Sequence, residues 1–194
     1  AELDSEAAVE RFFGEQFPDA AALIPNLTEE FMERPLGILG TVRCRHWHER
    51  GNVLLIGDAA HAVVPFHGQG MNLAFEDCVL LSKIVREHGA DWATAFSLYE
   101  AEQLANANAI ADMALDNYIE MRDTVRDPKF ALRKPLSFER ERRVPDFFIP
   151  RYSRVMFHAD IPYLVAQQRG EIQNALLEEF TEDAEDMGGV DVAA

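Results

Sequence analysis

Residues 51–78 read GNVLLIGDAAHAVVPFHGQGMNLAFEDC, and this stretch organises the rest of the chain. A short apolar run at 53–56 ends abruptly at Gly57-Asp58, in the way that a buried strand ends in a turn. A small-residue segment and Pro65 then lead to a Gly-Gln-Gly turn that opens a long helical pattern. Strand, acidic turn, glycine loop and helix N-terminus, in this order, present backbone N–H groups and one carboxylate to a ligand.

Asp58 has two interpretations that the local sequence does not separate. Its carboxylate caps a helix that starts at Ala59, because aspartate is a preferred N-cap residue. Alternatively, it accepts a hydrogen bond from a sugar-like hydroxyl at the carboxyl end of the strand, where open α/β sheets bind ligands. Both alternatives stay open at this point.

The glycine turn Gly68-Gln69-Gly70-Met71-Asn72 is not a dinucleotide-binding fingerprint. It follows a proline loop rather than a strand, and it lacks a third glycine at the required spacing. Two glycines separated by one residue also form ordinary turns. This turn nevertheless places free N–H groups at the positive end of a helix dipole, which stabilises a nearby anion by roughly 0.3–1 kcal/mol.

The composition of the 194-residue chain excludes several classes of partner. A formal net charge of −16 repels phosphate backbones, so we expect no nucleic-acid partner. No apolar run approaches the ~20 residues of a membrane span, and the acidic first residues are unlike a signal peptide. We therefore expect a cytoplasmic protein without a membrane partner, with Cys44 and Cys78 as free thiols.

Helical patterns dominate the chain, and the strands are too few for a self-sufficient sheet. We predict strands over 36–48 and 53–56, an irregular proline-punctuated region over 144–162, and helices that include 71–87, 91–125, 130–143 and 163–180. Isolated strands usually belong to a sheet whose other members lie elsewhere. The expected fold class is therefore α+β, a mostly helical piece of a larger α/β enzyme.

Three polar or soft side chains are candidates for a pocket as well as for the core. Asn117 and Met121 lie four residues apart and therefore share one face of the long predicted helix. Tyr152 is either a core aromatic residue with a satisfied hydroxyl or a pocket residue. The residue pattern alone favours the core for all three.

The histidines raise the question of a metal site. His46 and His48 would share one face of a strand, and His61 and His67 follow closely. No cysteine or second acidic ligand joins them at zinc-like spacing, so we predict no metal site. His61 is better explained as a structural histidine near a helix start.

The segment GDAAHAVVPFHGQGMNLAFEDC closely resembles the second FAD motif of the flavin-dependent aromatic hydroxylases. Later segments are similar to the C-terminal part of the family members that hydroxylate an aromatic amino acid derived from tryptophan. These segments are NYIEMRD at 117–123, FIPRYS at 148–153, VMFH at 155–158 and IPY at 161–163, and VERFFGEQFPDA at 9–20 also fits. The resemblance covers most of the chain.

The resemblance implies a role for each matching residue. Asp58 would bind the ribityl chain of FAD, and the turn from Gly68 to Asn72 would lie against the flavin ring. The implied cofactor residues are Gly57, Asp58, Pro65, Gly68, Gln69, Gly70, Met71 and Asn72. The implied substrate residues are Pro65, Phe66, His67, Asn117, Met121 and Tyr152.

The resemblance also implies an activity and a division of the chain. The parent enzyme would use FAD and NADPH to hydroxylate a small aromatic amino acid through a flavin hydroperoxide. Residues 1–89 would belong to the FAD- and substrate-binding domain, with the second FAD motif at 53–78. Residues 90–180 would form a helical domain over the substrate pocket, and residues 181–194 an acidic disordered tail.

An N-terminal half that carries GxGxxG is expected as the partner of this chain. The isolated chain would then be inactive and would bind FAD weakly or not at all. Two alternatives remain: a related flavin monooxygenase that acts on another aromatic substrate, and a non-catalytic helical interaction module. No residue is assigned as catalytic, because the flavin would carry the chemistry.

Overall fold

The computed structural model describes residues 3–186 and residue 189 of the chain. Helices dominate these residues, as the sequence predicts, and the strands among them are two residues long. In chain order the elements are α1 (Glu6–Gln16), α2 (Pro18–Leu23), α3 (Leu27–Glu33), β1 (His48–Glu49), β2 (Val53–Leu54), α4 (Asp58–His61), a 3-10 turn (Pro65–His67), α5 (Gly70–His88), α6 (Trp92–Arg122), a second 3-10 turn (Thr124–Arg126), α7 (Pro128–Arg143), α8 (Arg151–Phe157) and α9 (Tyr163–Thr181).

The chain divides between Leu39 and Gly40 into two units. The first unit contains α1, α2 and α3. Val9 on α1 is fully buried, and the ring of Phe13 packs edge-on against Phe31 on α3 at 5.8 Å between centroids. Pro18 starts α2, where its missing N–H leaves no hydrogen bond unmade.

The prediction of a strand over 36–48 is wrong except at its last residue. β1 pairs with β2 in antiparallel register, His48 with Leu54 and Glu49 with Val53. Upstream of β1, isolated backbone bonds replace a ladder: Val42 N–H donates to Ala62 and Cys44 N–H to Ala60, at 2.8 and 3.0 Å. A strand needs a continuous partner strand, and residues 40–48 make scattered bonds instead, to the short stretch around α4 and, from the N–H of Trp47, to Glu100 on α6.

The core of the second unit lies between α5 and α6. Leu73 and Ile84 on α5 pack with Tyr99 and Ile110 on α6, and Trp47 inserts beside them with 1% of its surface exposed. The 31-residue α6 has neither proline nor glycine, which explains its uninterrupted length. Its start is capped by Asp91, whose carboxylate accepts from the N–H of Thr94 at 3.2 Å.

Helices α7, α8 and α9 complete the second unit around a smaller apolar cluster, which contains Leu132, Leu136, Phe148 and Leu177. The segment 144–162 is not wholly irregular, because α8 forms within it. The sequence pattern does not predict this helix, because prolines lie on both sides of it and each proline is typical of a break. Pro135 lies inside α7 without dividing it.

The functional division at residue 89 stays a prediction. Helices α5 and α6, which lie on either side of it, belong to the same structural unit and pack together. Half of the predicted tail at 181–194, namely residues 187–188 and 190–194, lies outside the described residues. Among the described residues, no helix is both long and apolar enough to cross a membrane.

The turn between β1 and β2 generates a prediction about stability. Gly51 has φ of +72°, and a Cβ there would lie 2.6 Å from the backbone nitrogen of Ala93. Because both the dihedral and the space exclude a side chain, Gly51→Ala is expected to lower the free energy of unfolding by about 2–4 kcal/mol in urea denaturation.

Gly40→Ala is the matched control, since its Cβ would meet nothing within 4 Å. It should stay within about 0.5 kcal/mol of the parent chain. Equal stability of the two variants would contradict the packing of the turn against α6.

Candidate functional site

The turn at Gly57-Asp58 leaves the aspartate free to meet a ligand. Gly57 is the N-cap of α4, with φ of 61° and ψ of −144°, a conformation that glycine alone adopts readily. Asp58 is the first helical residue, and its exposed side chain makes no capping bond. The capping interpretation of Asp58 is therefore wrong. Its carboxylate has neither a hydrogen bond nor an ion pair within residues 3–186.

A buried carboxylate that the sequence analysis missed lies behind this turn. Asp77 on α5 is fully buried, and its Oδ2 accepts the N–H of Gly57 at 2.9 Å and lies 2.7 Å from Nε2 of His61. Its Oδ1 accepts from Nε2 of Gln103 at 2.9 Å. Burial by itself raises the pKa of Asp77, but the bonds from His61, Gln103 and Gly57 outweigh it and hold the pKa below its usual value.

The glycine turn ends in a helix N-terminus whose first N–H groups are free. Gly68 has φ of +71°, and the first hydrogen bond of α5 runs from Leu73 N–H to the carbonyl of Gln69. The N–H groups of Gly70, Met71 and Asn72 precede that bond and have no partner in the described part of the chain. They form the electropositive end of a 19-residue helix.

Gln69 is free to meet a cofactor only through its backbone. Its side chain is 3% exposed and is occupied internally. The amide oxygen accepts from Asn72 and from the hydroxyl of Tyr163, at 2.9 and 3.2 Å, while the amide nitrogen lies 3.0 Å from the sulfur of Met156. This side chain thus ties the glycine turn to α8 and α9.

Three predicted substrate residues converge on one cavity of about 180 Å³: His67, Asn117 and Tyr152. They come from three separate segments, the first 3-10 turn, the end of α6 and the start of α8. The other cavity walls come mainly from α7 and α9, including Phe130, Arg133, Lys134, Ser137, Gln173, Asn174, Leu177 and Glu178. Asn117 is thus a pocket residue, although the residue pattern alone favoured the core.

The remaining predicted substrate residues lie beside this cavity rather than in its wall. Phe66 presents its carbonyl oxygen to Nδ2 of Asn117, and its ring packs on Tyr118 at 4.6 Å between centroids. Met121 is 60% exposed, and its sulfur lies 3.9 Å from Nδ2 of Asn117. Pro65 is exposed at the start of the 3-10 turn.

His67 and Tyr152 form a stacked pair in the cavity wall. Their ring centroids are 5.2 Å apart and the planes are tilted by 17°. Only 4% of the His67 surface is exposed, and this burial lowers the pKa of the imidazole below its ordinary value of 6.5. His67 is therefore a neutral ring at neutral pH, and Tyr152, which is 45% exposed, lies against it.

The cavity also carries paired charges that the sequence analysis did not identify. Arg151 donates to Asp116 at 2.8 Å, and Lys134 lies 3.2 Å from a carboxylate oxygen of Glu120. The residues of each pair are 14 or more positions apart, so no local sequence pattern predicts these ion pairs. Through Arg151, Lys134 and Glu120, the cavity wall therefore carries charges of both signs.

The histidines do not assemble a metal site in the described part of the chain. No three side chains of histidine, cysteine, aspartate or glutamate converge there. His46 lies 3.7 Å from Glu100, while His61 is buried and bonded to Asp77, in agreement with a structural role. Both cysteines are free thiols, as predicted.

The free groups of the loop fit the ligand that the resemblance implies. FAD carries a polyhydroxyl ribityl chain and a ring that becomes anionic when reduced. Asp58 offers an unpaired carboxylate to hydroxyl donors, and the free N–H groups of Gly70, Met71 and Asn72 offer donors to a negative charge. The chemistry of this donor set therefore matches the cofactor.

Comparison with known proteins agrees with this fit. A family model described as an FAD binding domain matches residues 24–114. The kynurenine 3-monooxygenase of Myxococcus xanthus is 48% identical over 182 residues, which cover 94% of this chain and 39% of the relative. The enzyme of the same name from Stenotrophomonas maltophilia is 46% identical over 194 residues, 100% of this chain and 42% of the relative. The chain thus spans about two-fifths of the length of these relatives.

The lowered pKa of His67 predicts a dependence of stability on pH. The unfolded chain binds a proton near pH 6.5, and the folded chain binds it only at lower pH. The contribution of His67 to the free energy of unfolding is therefore fully present above pH 6.5, and it is lost as the pH falls below that value.

His67→Phe keeps the stacked ring but removes the proton site. Urea denaturation at pH 7.5 and 5.5 should show a smaller loss of stability at the lower pH for this variant than for the parent chain. His88→Phe, at the exposed end of α5, serves as the control and should retain the parent's pH dependence. An unchanged pH dependence in the His67 variant would refute the buried neutral imidazole.

Proposed function

We propose that the chain, which is similar to kynurenine 3-monooxygenases and matches an FAD binding domain, belongs to the family of flavin-dependent monooxygenases that includes these enzymes, and from this premise we propose its activity. It forms the carboxyl-terminal part of an enzyme that uses FAD and NADPH to hydroxylate L-kynurenine to 3-hydroxykynurenine. The observation that carries this proposal is the convergence of His67, Asn117 and Tyr152 on one cavity: Tyr152 stacks on His67, and Asn117 bonds the carbonyl of Phe66, shortly before the glycine turn.

In this proposal the loop residues hold the cofactor. Asp58 accepts hydrogen bonds from the ribityl hydroxyls, and the turn from Gly68 to Asn72 lies against the flavin ring. FAD, when bound, supplies the oxygen-activating redox chemistry, with NADPH as the reductant. The free N–H groups at the start of α5 stabilise negative charge on the ring, because they lie at the positive end of the helix dipole.

The cavity side chains position the amino-acid substrate. Nδ2 of Asn117 has two hydrogens: its bond to the Phe66 carbonyl fixes the orientation of the amide, and its second donor meets only the weak acceptor sulfur of Met121, which a carboxylate can replace. The Tyr152 hydroxyl supplies a second donor, so both can bind the carboxylate of kynurenine. Met121, which lies beside the cavity, contacts the edge of the aromatic ring next to Asn117, and the charges of both signs in the cavity wall suit a zwitterion.

Substitutions in the cavity test the substrate assignment in the complete enzyme. Asn117→Ala and Tyr152→Phe each remove one hydrogen bond to a carboxylate, so each should raise KM for kynurenine about tenfold. The flavin absorbance per protein should stay at the wild-type level, because neither residue belongs to the cofactor loop.

Steady-state NADPH oxidation and the flavin spectrum measure the two effects separately. Phe138→Ala, an exposed change on α7 outside the cavity, should leave both unchanged. Loss of flavin with an unaltered KM in either cavity variant would show that these residues belong to the cofactor site instead.

The choice of substrate is tested by turnover of the wild-type enzyme. Kynurenine should stimulate NADPH oxidation and yield the 3-hydroxylated product. Stimulation by a simple phenol or aniline but not by kynurenine would favour the related monooxygenase with another aromatic substrate. FAD binding without any aromatic-dependent oxidation would contradict both versions of the enzyme.

We further propose that α5 contacts the remaining, dinucleotide-binding part of the enzyme. Met71, Phe75 and Val79 lie four residues apart along α5 and are 67%, 61% and 70% exposed, so they form one apolar stripe. The chain spans about two-fifths of its relatives' length, so these relatives contain further chain that can cover such a stripe. An FAD bound at the start of α5 would lie at this contact.

Val79→Ser tests this contact two helical turns away from the cofactor loop. The melting temperature of the complete enzyme should fall by several degrees, because an apolar side chain loses its buried environment. Ile172→Ser on α9, which is 63% exposed, is the control and should have no such effect. If both variants have the melting temperature of the wild type, the stripe is solvent-exposed in the whole enzyme and the proposed contact is wrong.

A further inference from the structure

The buried carboxylate of Asp77 holds both ends of the segment that carries Asp58. On the basis of the proposed FAD site, we infer that Asp77 is the positioning residue that fixes Asp58 for the cofactor. Its Oδ2 accepts the N–H of Gly57, the residue directly before Asp58, and bonds His61, the last residue of the same short helix. One oxygen atom therefore clamps the segment from both sides.

The segment needs such a clamp because it cannot hold its own conformation. Helix α4 has four residues, which is far below the length at which a helix is stable by itself. Gly57 adopts one of several conformations that are open to glycine, so the residue by itself does not fix the turn. Asp58 makes no bond within the described residues that would orient its own side chain.

The clamp is anchored in the most rigid part of the unit. Asp77 is fully buried on α5, and Gln103 of α6 holds its other oxygen at 2.9 Å. Both helices belong to the main apolar core. A carboxylate held in this way cannot rearrange without disturbing the α5–α6 contact, so it transmits the rigidity of that contact to the turn.

The same helix also sets the second half of the cofactor site. Asp77 lies seven residues after Gly70, which is two helical turns or about 10 Å along the axis. The free N–H groups at the start of α5 and the Asp58 carboxylate are thus fixed relative to one rigid rod. In this inference Asp77 does not contact the cofactor itself. It sets the distance between the Asp58 carboxylate and the free N–H groups at the start of α5.

A double-mutant cycle in the complete enzyme tests whether Asp77 acts through Asp58. FAD dissociation constants are measured by flavin fluorescence for Asp58→Ala, Asp77→Asn and the double variant. Each single substitution should weaken FAD binding about tenfold or more, and the double variant should bind within about threefold of the weaker single variant. Non-additivity is expected because a displaced Asp58 and an absent Asp58 lose the same bond.

Two further measurements separate positioning from a loss of stability. The visible circular dichroism of FAD at saturation should change in Asp77→Asn, because the flavin then lies in altered surroundings. Gln103→Met is the matched control: it removes the bond to Oδ1 and leaves both Oδ2 bonds in place, so it should lower the melting temperature and keep FAD affinity within about threefold. If Asp77→Asn does not fold, His61→Gln replaces it in the cycle, since it breaks only one Oδ2 bond.

The outcomes distinguish this inference from the proposed function. Wild-type FAD affinity and an unchanged flavin spectrum in Asp77→Asn would overturn the inference, and so would losses that multiply fully in the double variant. A wild-type enzyme that binds no FAD would overturn the proposed cofactor site and, with it, the role of Asp77. Asp77 is established as the positioning residue if the losses of FAD affinity in the cycle are non-additive and Gln103→Met keeps FAD affinity within about threefold of the wild type.

Discussion

The hydrogen bond from the Gly57 N–H to the buried carboxylate of Asp77 connects the ligand-facing loop to the core, and the local structure depends on it. The strand before the turn is only two residues long and the helix after it only four, so neither can fix the loop. Breaking a buried pair such as Asp77–His61 typically costs about 3–5 kcal/mol, because it leaves an uncompensated polar group inside the protein. The local chain therefore has one strongly favoured arrangement.

The long pair α5 and α6 supplies the rigid frame for both halves of the site. The N-terminus of α5 presents free N–H groups, and its middle carries Asp77. The far end of α6 carries Asn117, whose amide holds the Phe66 carbonyl and so ties the 3-10 turn to the cavity. The loop proposed for the cofactor and the cavity proposed for the substrate thus lie at the same end of one helix pair, which agrees with a reaction that requires flavin and substrate to be held in fixed relation.

The cavity itself is assembled from elements that are far apart in the sequence. The stacked rings of His67 and Tyr152 come from positions 85 residues apart, and α7 and α9 close the space behind them. Burial keeps His67 neutral, so the wall facing Tyr152 carries no charge near neutral pH. The charged residues of the cavity wall lie in ion pairs, Arg151 with Asp116 and Lys134 with Glu120.

The sequence by itself determined the helical character, most helix positions and the loop that faces a ligand, because periodicity, prolines and glycines act locally. It also led to Asp58, His67, Asn117 and Tyr152, through residue chemistry or through resemblance. Only the tertiary structure excluded the capping role of Asp58, brought Asn117 and Tyr152 to one cavity and placed Asp77 behind the turn. The cavity and the buried bonds of Asp77 depend on contacts between residues 16 to 85 positions apart, and no local pattern specifies which distant side chains will meet.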